Sequence, residues 1–211
     1  MARVAGATKR GEASAQLGRR ERRKRATRQA LLDAALGLFG ERGVYVTRIE
    51  DVTDRADVSK GAFYNYFDSK AALLAALVTQ TADLLEREYL GNATAGATLA
   101  QRLEAVAAAH ERFFRASPKR ALVFHQARGL LELDDKAARV LRVAFSDYLR
   151  RVGRFVSPGQ HRQSAAALDA ASAVAGTIAG YRSFRRAAGL GNRPSAVARL
   201  LVAGVPGMAA G

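Results

Sequence analysis

The stretch DVSKGAFYNYFDSK, residues 57–70, holds four of the chain's fifteen aromatic residues. If residues 59–67 form a helix with about 100° per residue, Phe63, Phe67 and Tyr66 share one side. The opposite side presents the amine of Lys60, the phenol of Tyr64 and the amide of Asn65. Gly61 lies among them and has no side chain. The stretch therefore predicts a short helix that buries one side and offers the other to a partner.

A second short helix is predicted just before it. The sequence TRIE, which begins at Thr47, is a Thr-x-x-Glu capping box and predicts a helix over 47–56. A turn follows, and Ser59 is placed to cap the helix over 59–67. Two short helices joined by such a turn form a helix-turn-helix, whose second helix fits the DNA major groove.

Gly61 and Lys70 favour a nucleic-acid partner. A glycine within a helix lowers helix stability by up to about 1 kcal/mol relative to alanine. A glycine at position 61 would be explained if the backbone there approaches a sugar-phosphate edge closely. Lys70 lies in the first turn of the next helix, where the helix dipole disfavours a cation unless an anion docks there. The alternative for Lys70 is a solvated amine whose stem covers Phe67. With Lys60 and Tyr64 nearby, phosphate contact is favoured.

Helical periodicity with start and stop signals recurs along the chain, whereas strand signals are nearly absent. We therefore predict an all-α fold of about nine helices: a small three-helix head, a connecting helix and a larger helical body. The predicted helices are 20–42, 47–56, 59–67, 69–90, 98–116, 118–131, 135–156, 158–188 and 194–203. The Gly/Ala/Thr-rich segment 91–98 is the predicted domain boundary.

The net charge of +15 is unevenly distributed. Residues 1–28 hold ten Lys/Arg against two Asp/Glu, a net of +8, and residues 29–70 hold five against seven, a net of −2. Residues 71–211 hold nineteen against ten, a net of +9. A strongly basic chain is typical of proteins with a polyanionic partner such as nucleic acid. The alternative is an arginine-rich composition with solvated faces.

Several classes of protein are disfavoured. The chain has no cysteine, which excludes disulfides and thiolate metal sites. Three histidines without a His-x-x-x-His pair, and no glycine-rich phosphate loop, leave no catalytic constellation, so we predict no enzyme activity, no metal and no cofactor. No apolar run reaches the roughly 18–20 residues of a membrane span, and the first twenty residues lack a secretory signal. We expect a cytoplasmic, nucleoid-associated protein with no membrane partner.

The residues from Gln29 to Leu77 closely resemble the DNA-binding head of the TetR (tetracycline-repressor) family. The matching features are Ala34-Ala35-x-x-Leu38-Phe39, Gly43, Thr47, the Ala56-x-Val58-Ser59 turn, Lys60-Gly61, Tyr64-x-Tyr66-Phe67 and Ser69-Lys70. The resemblance covers about fifty residues, and beyond residue 90 it is architectural only. It implies a homodimeric, ligand-responsive transcriptional regulator, usually a repressor. The implied domains are a disordered basic tail (1–19), the helix-turn-helix domain (20–68), a connecting helix (69–90), a ligand-binding and dimerisation domain (98–204) and a disordered C-terminus (205–211).

The resemblance also implies roles for individual residues. Those facing the groove would be Lys60, Gly61, Tyr64 and Asn65. Those holding phosphates would be Thr47, Tyr64, Tyr66 and Lys70, with Arg48 near the backbone. Asp57 replaces the usual turn glycine, which is tolerable because aspartate adopts left-handed geometry better than most residues. Glu50 stands where some members carry a groove-facing basic residue, and we assign it to the capping box. Ala62 and Ala72 each lose a common polar contact.

The basic tail is expected to assist the head, because residues 29–70 alone are net negative. The run RRERRKR, residues 19–25, lies at the beginning of the first predicted helix, where an arm could reach the neighbouring minor groove. We therefore add Arg22, Arg23 and Arg25 to the predicted DNA contacts. A transit peptide is the alternative interpretation of this segment.

Small residues at four-residue spacing in the helix over 158–188 predict a dimer interface. Ser172, Gly176 and Gly180 would let two helix backbones approach closely. In the resembling family the last two helices of each subunit form a four-helix interface, which implies the same role for 158–188 and 194–203. The alternative is a close helix contact within one subunit.

Polar residues on apolar stripes predict a ligand pocket in the body, since such sites are mostly apolar with a few orienting groups. The candidates are His110, Phe113, Phe114, Phe124, His125, Arg128, Phe145 and Tyr148. The alternatives are a core histidine with one hydrogen bond and an arginine whose stem lies along a helix edge. The net charge of the body favours an anionic effector, such as an acyl-CoA or an acidic metabolite, although arginine bias explains it equally well.

The sequence therefore predicts a homodimeric repressor released from a palindromic DNA operator by a small-molecule effector that is anionic or hydrophobic. The alternatives are a ligand-independent, non-specific DNA-coating protein and a small-molecule-binding protein with a vestigial head. The first would show no sequence preference. The second is disfavoured by the intact Lys60, Gly61, Tyr64 and Lys70.

Overall fold

A computed structural model of the chain describes residues 2–90, 97–132, 135–156, 165–191, 196–197 and 199–200. Over these residues the structure contains eight α-helices and no strand, which confirms the all-α class. The helices are α1 (Ala2–Arg42), α2 (Ile49–Arg55), α3 (Lys60–Phe63), α4 (Lys70–Leu85), α5 (Leu99–Ala116), α6 (Pro118–Gly129), α7 (Asp135–Val156) and α8 (Ala165–Ala187). Glu86–Leu90 continues α4 as a π-helical turn.

The chain divides into two compact units, residues 1–73 and residues 74–211, which we call the head and the body. The division falls inside α4, whose first turn belongs to the head. The predicted domain limits stay predictions. Most of the boundary segment 91–98 and the C-terminus 205–211 lie outside the described residues, as does much of the helix predicted over 194–203, of which residues 196–197 and 199–200 are helical.

α1 differs from the predicted helix at its beginning, because it begins at Ala2 and not near Arg20. The residues predicted as a disordered tail, 1–19, are therefore helical from Ala2 onward. The segment is rich in alanine, arginine and other strong helix formers, and it has no proline. The prediction rested on a missing apolar stripe, which helix propensity does not require. At the other end Gly43 adopts a left-handed φ of 91°, the conformation in which a glycine commonly ends a helix.

The head has a core of its own, to which its short helices contribute. α1 packs against α2, and α2 packs against α3. The apolar residues that lie almost completely out of solvent are Leu31, Leu32, Ala35, Leu38, Phe39, Val44, Val52, Phe63 and Leu73. Since helices of four to seven residues are unstable alone, this shared core is what holds α2 and α3 in place.

α5 begins with the capping box that the pattern Thr98-x-x-Gln101 predicts, in which Thr98 and Gln101 each accept a backbone N–H of the other. Pro118 is the first residue of α6, a position that suits proline because an N–H at a helix start has no partner within the helix. α5 packs against α6, α7 and α8, and α7 packs against α8. An arginine cluster joins α7 to the end of α4: Arg151 binds Asp83 and Glu86 at 2.6 and 2.9 Å.

Candidate nucleic-acid interface and effector site

The turn before α3 has the geometry that its sequence predicts. Ser59 is the N-cap, and its hydroxyl accepts the backbone N–H of Ala62 at 3.2 Å. Asp57 adopts a left-handed φ of 53°, the conformation for which many turns require glycine. After Phe63 the chain continues in tight turns, with the N–H of Tyr66 donating to Phe63 at 2.9 Å. The predicted helix over 59–67 is therefore a single α-turn followed by non-helical turns.

The buried side of this segment is built from two phenylalanines. Phe63 is fully buried and Phe67 is 4% exposed, and their ring centroids lie 5.8 Å apart. The guanidinium of Arg28, on α1, lies 5.1 Å from the Phe67 centroid, a distance that fits a cation–π contact. These contacts fix the rotation of α3 on the head.

The opposite side faces solvent. The exposed residues are Lys60, Gly61, Tyr64 and Asn65. A Cβ added at Gly61 would meet no described atom within 4 Å outside its own helix, so packing within the described part of the head gives no reason for a glycine there. Tyr66 is half-buried, between the two sides. The structure therefore brings together the four residues predicted to face a groove.

The loop before α2 differs from its prediction. The N-cap is Arg48 and not Thr47, and the backbone N–H of Arg48 donates to the Asp51 carboxylate at 2.8 Å. Thr47 is fully buried, and its hydroxyl donates to the Gly43 carbonyl at 2.7 Å. The predicted Thr-x-x-Glu box is thus wrong by one residue. The Thr47 hydroxyl bonds Gly43, the residue after α1, instead of a backbone N–H of α2. As placed, its hydroxyl does not reach the surface.

Glu50, released from the predicted cap, forms an ion pair with Lys60. Their side chains are 51% and 57% exposed, and the carboxylate lies 2.5 Å from the ammonium. The hydrogen bond from Lys60 lowers the pKa of Glu50, and the same bond raises the pKa of Lys60. Both groups therefore stay charged at neutral pH. The pair joins α2 to α3 on the solvent-facing side.

Lys70 is also placed differently from its prediction. Its ammonium donates to the carbonyls of Val44, Tyr45 and Thr47 at 2.9, 3.3 and 3.0 Å. Partial burial lowers the pKa of this lysine. An ammonium has three protons, and these carbonyls engage all of them. In this structure Lys70 stabilises the loop between α1 and α2 instead of presenting its charge to solvent.

The same loop borders an open depression of about 580 Å³ on the head. It is lined by Tyr45, Val46, Thr47, Arg48, Ile49, Glu50 and Lys70. Arg48 is exposed at this surface, as predicted for a residue near the DNA backbone. Tyr45 is 55% exposed and was missed from the sequence, because it stands in a loop without periodicity.

The basic run before the head lies on α1. Arg22, Arg23 and Arg25 are all exposed, which a polyanion contact needs. They occupy a continuous helix, however, and not the extended arm from which a minor-groove contact was predicted. Their charges are therefore displayed along a helix surface.

In the body, the predicted pocket residues form a packed aromatic cluster. His110 is 1% exposed, and its two ring nitrogens lie 2.8 Å from the Val106 carbonyl and 2.8 Å from the Tyr148 hydroxyl. Since a carbonyl only accepts, Nδ1 carries the proton and Nε2 accepts from Tyr148. Burial lowers the pKa of His110 to about 4 and raises that of Tyr148 well above its usual range. Both groups are neutral and mutually satisfied.

Phenylalanines from three helices surround this pair. The Phe124 ring, on α6, lies 5.8 Å from that of Phe114 and 5.0 Å from those of Phe145 and Tyr148. Phe113 lies 5.2 Å from Phe114 and is buried. Edge-on and tilted contacts at these distances are favourable for aromatic pairs. Six of the eight predicted pocket residues are therefore brought together, in a closed arrangement.

The other two, His125 and Arg128, are exposed. The positive charge of Arg128 still acts on Tyr148, where it lowers the pKa that burial raises. Sequence reasoning missed the charged residues that border the cluster. Glu111 is 7% exposed and pairs with Arg182 of α8 at 2.5 Å, and the Arg182 guanidinium lies 5.5 Å from the Phe114 centroid. The only available signal was an acid on an apolar stripe, and its partner lies 71 residues away.

The small residues of α8 lie on its outer side. Ser172 and Gly176 are exposed and Gly180 is half-exposed, whereas Val174 and Ile178 are buried. A Cβ on either glycine would meet no described atom within 4 Å outside its own helix. The interface between subunits and the alternative of a contact within one subunit both stay predictions.

The described residues show neither a metal-binding cluster nor a helix that could span a membrane. No group of three or more His, Asp or Glu side chains in that part of the chain could hold a metal ion. Within the same residues, none of the helices combines the length and apolar character that a membrane crossing requires.

Comparison with known proteins places the head. The model of the family described as "Bacterial regulatory proteins, tetR family" matches residues 31–77. The repressor KstR of Mycobacterium tuberculosis is 34% identical over 121 residues, which are 54% of this chain and 53% of that protein. The regulator RutR of Escherichia coli is 40% identical over 67 residues, 32% of each chain. The chain thus spans about half the length of the first of these relatives, and less of the second.

A solved structure of the transcriptional regulator FadR from Bacillus subtilis, in complex with stearoyl-CoA, superposes with a TM-score of 0.66. The match covers 84% of this chain and 98% of that one at 19% identity, so it shows the fold of both units and nothing finer. The family match is confined to residues 31–77, the part of the chain that holds the helix-turn-helix, so this N-terminal segment is similar to the tetR family.

Proposed function

We propose that the chain is a sequence-specific DNA-binding transcriptional regulator, a homodimeric repressor that a small-molecule effector releases from a palindromic operator. The observation that carries the proposal is the exposed side of the α3 segment. Lys60, Gly61, Tyr64 and Asn65 face solvent, while Phe63 and Phe67 anchor the same segment in the core. A short helix with a fixed rotation and a polar outer side is what major-groove reading requires.

Backbone contacts would come from residues around this helix. Arg48 and Tyr66 remain candidates, because both are at least partly exposed. Thr47 and Lys70 would act indirectly, by holding the loop that carries Arg48, since their donors bind carbonyls of the head. The exposed basic segment of α1 would supply the positive charge that residues 29–70 lack.

Dimerisation would bring two heads to the two halves of an operator. The stripe of Ser172, Gly176 and Gly180 supports this, because it lies on the outer side of α8 with open space above both glycines. Gly176→Leu should convert the dimer to monomer at micromolar concentration in analytical ultracentrifugation. Gly61→Leu is the matched control at another exposed glycine and should leave the dimer intact. A Gly176→Leu protein that sediments as the wild type would argue against this interface.

The effector would enter the body at the aromatic cluster of α5, α6 and α7. A hydrophobic or amphipathic ligand would have to separate His110 from Tyr148 and insert between Phe114 and Phe124, so the present arrangement is the closed state. Arg182 could meet an anionic group, and the stearoyl-CoA in the Bacillus subtilis FadR structure supports the class of acyl-CoA ligands. Enzyme activity, a cofactor and a membrane partner are not part of the proposal. A regulator of this kind would act in the cytoplasm, on the nucleoid.

The experiment is selection of binding sites from random double-stranded DNA by the full chain. A palindromic consensus is expected, because a symmetric dimer reads two equal half-sites. The alternative, a ligand-independent DNA-coating protein, would select no consensus at all. Tyr64→Ala combined with Lys60→Ala should abolish selection. Asp33→Asn, at an exposed carboxylate of α1, is the matched control and should select the wild-type consensus.

A further inference from the structure

The Glu50–Lys60 pair lies on the surface that the proposed function assigns to DNA. On such a surface only positive charge raises the affinity for phosphates. Glu50 is on the first turn of α2 and Lys60 begins α3, and the two side chains meet on the exposed side of the helix-turn-helix. A carboxylate in this position repels phosphates at every DNA sequence. Its presence therefore calls for an explanation beyond affinity.

Stabilising the head is a weak explanation. Ion pairs between exposed side chains contribute little to stability, since water screens them and two long side chains must be ordered. Both partners here are more than half exposed. The cap of α2 does not need Glu50 either, because Asp51 accepts the N-cap N–H. An acid in the first turn also interacts favourably with the helix dipole, but Asp51 supplies one there as well. These roles therefore do not single out a glutamate beside Lys60.

Base recognition does account for it. In the major groove guanine offers the acceptors O6 and N7, which suit lysine, and its partner cytosine offers the N4 amino donor, which suits a carboxylate. One G·C pair thus presents the charge pattern that complements an amine beside a carboxylate. A phosphate would complement the amine only. We propose that Glu50 is a specificity-determining residue, and that it accepts from cytosine N4 while Lys60 donates to guanine at the same or the adjacent base pair.

This inference rests on the proposed function, and it deepens that function by naming the base pair read by α2 and α3. The Glu50 carboxylate lowers the affinity of the protein for all DNA. Part of the lost affinity is regained only at sites where a cytosine N4 amino group donates to this carboxylate. Glu50 would then increase the ratio of specific to non-specific binding at the expense of absolute affinity. A residue that stabilised the head only would leave this ratio unchanged.

The test is binding-site selection with the full chain, its Glu50→Gln and Glu50→Ala variants and the Asp33→Asn control. In each half-site one position should lose its preference for G·C by about tenfold or more with Glu50→Ala, within the range for one good base contact. Affinity for random-sequence DNA should rise, as a negative charge is removed. Circular dichroism should give an unchanged melting temperature. Asp33→Asn should keep the wild-type preference at every position.

The charge-swapped variant Glu50→Lys/Lys60→Glu separates base reading from bridging. It keeps an ion pair between α2 and α3 but exchanges the donor and acceptor, so the preferred base pair should change. If the swap or Glu50→Ala retains the wild-type consensus, the pair only bridges the helices and the inference is overturned, while the proposed function stands. If the wild-type chain itself selects no consensus, the proposed function fails first.

Discussion

The head and the body differ in whether the polar side chains near their aromatic rings reach solvent. In the head, Lys60 and Tyr64 are about half exposed. Lys60 pairs with Glu50 at the surface, and the Tyr64 ring meets the buried Phe63 ring edge-on at 5.3 Å. In the body, His110 and Tyr148 point into the aromatic rings and satisfy each other. A short surface helix has one buried side and one exposed side, so the periodicity of the sequence shows which polar residues are exposed. In a helix that packs on several sides, periodicity does not distinguish exposed polar residues from buried ones.

The largest expected effect comes from the neighbours Phe63 and Tyr64, whose rings touch edge-on but of which only Phe63 is buried. Phe63→Ala removes a fully buried ring and should lower the free energy of unfolding by about 3–5 kcal/mol. Tyr64→Ala, at a side chain that is 48% exposed, should cost about 1 kcal/mol yet weaken operator binding strongly. Urea titrations followed by circular dichroism, and fluorescence anisotropy on the selected operator, measure both. Equal losses of stability would contradict the two-sided helix.

The second effect concerns the closed cluster of the body. The folded-state pKa of His110 is about 4 and the ordinary value is 6.5, so its neutral form is required for folding. Stability is complete above pH 6.5 and falls as the pH drops toward 4, since the unfolded chain takes up the proton first. The loss should reach about 3 kcal/mol. His110→Gln should flatten this dependence in urea titrations at pH 7, 5.5 and 4.5, and identical slopes for both proteins would show that the histidine is solvated.

A smaller effect distinguishes two roles of Lys70. Lys70→Met removes the donors to three loop carbonyls and should cost about 1–3 kcal/mol of stability, with the salt dependence of DNA binding unchanged. The matched variant Lys60→Met, at an exposed lysine, should do the reverse: stability stays and the binding changes. If Lys70→Met instead lowers the log–log salt slope by about 0.9 and leaves stability intact, the lysine leaves its carbonyls and binds phosphate.

The smallest expected effect is that of a single arginine in the basic segment. Arg22→Gln should reduce the log–log salt slope by about 0.9, and neutralising Arg22, Arg23 and Arg25 together by about three times as much. Folding should be unaffected, because these side chains lie in solvent. Anisotropy titrations between 50 and 200 mM salt measure the slope. An unchanged slope in the triple variant would remove this segment from the interface.

Local signals predicted those elements whose causes lie within a few residues. Ser59 caps α3, Thr98 and Gln101 form their box, and Asp57 takes the left-handed turn, since each depends only on near neighbours. The predicted limits of α7 and the end of α1 agree with the structure for the same reason. The capping box at Thr47 failed because two adjacent helix signals competed there, and the hydroxyl went to the end of the preceding helix.

Partners distant in sequence were beyond such reasoning. Lys70 reaches carbonyls 23 to 26 residues away, and Arg182 meets Glu111 across 71 residues. The candidate pocket was identified as a set of stripes, yet the sequence contained nothing to say that His110 would find Tyr148 while His125 would stay in solvent. Nor did it indicate that Glu50, free of the cap, would meet Lys60.

By itself, the sequence determined that this protein is helical, that its head is a helix-turn-helix, and which side of residues 59–67 is exposed to solvent. These features follow from periodicity and capping, which act over one or two helical turns. Only the tertiary structure decided which charged and polar groups are already engaged: Lys70 by carbonyls, His110 by a tyrosine, Glu50 by a lysine. Such pairings depend on how separate helices pack, and side-chain chemistry alone leaves many partners equally suitable.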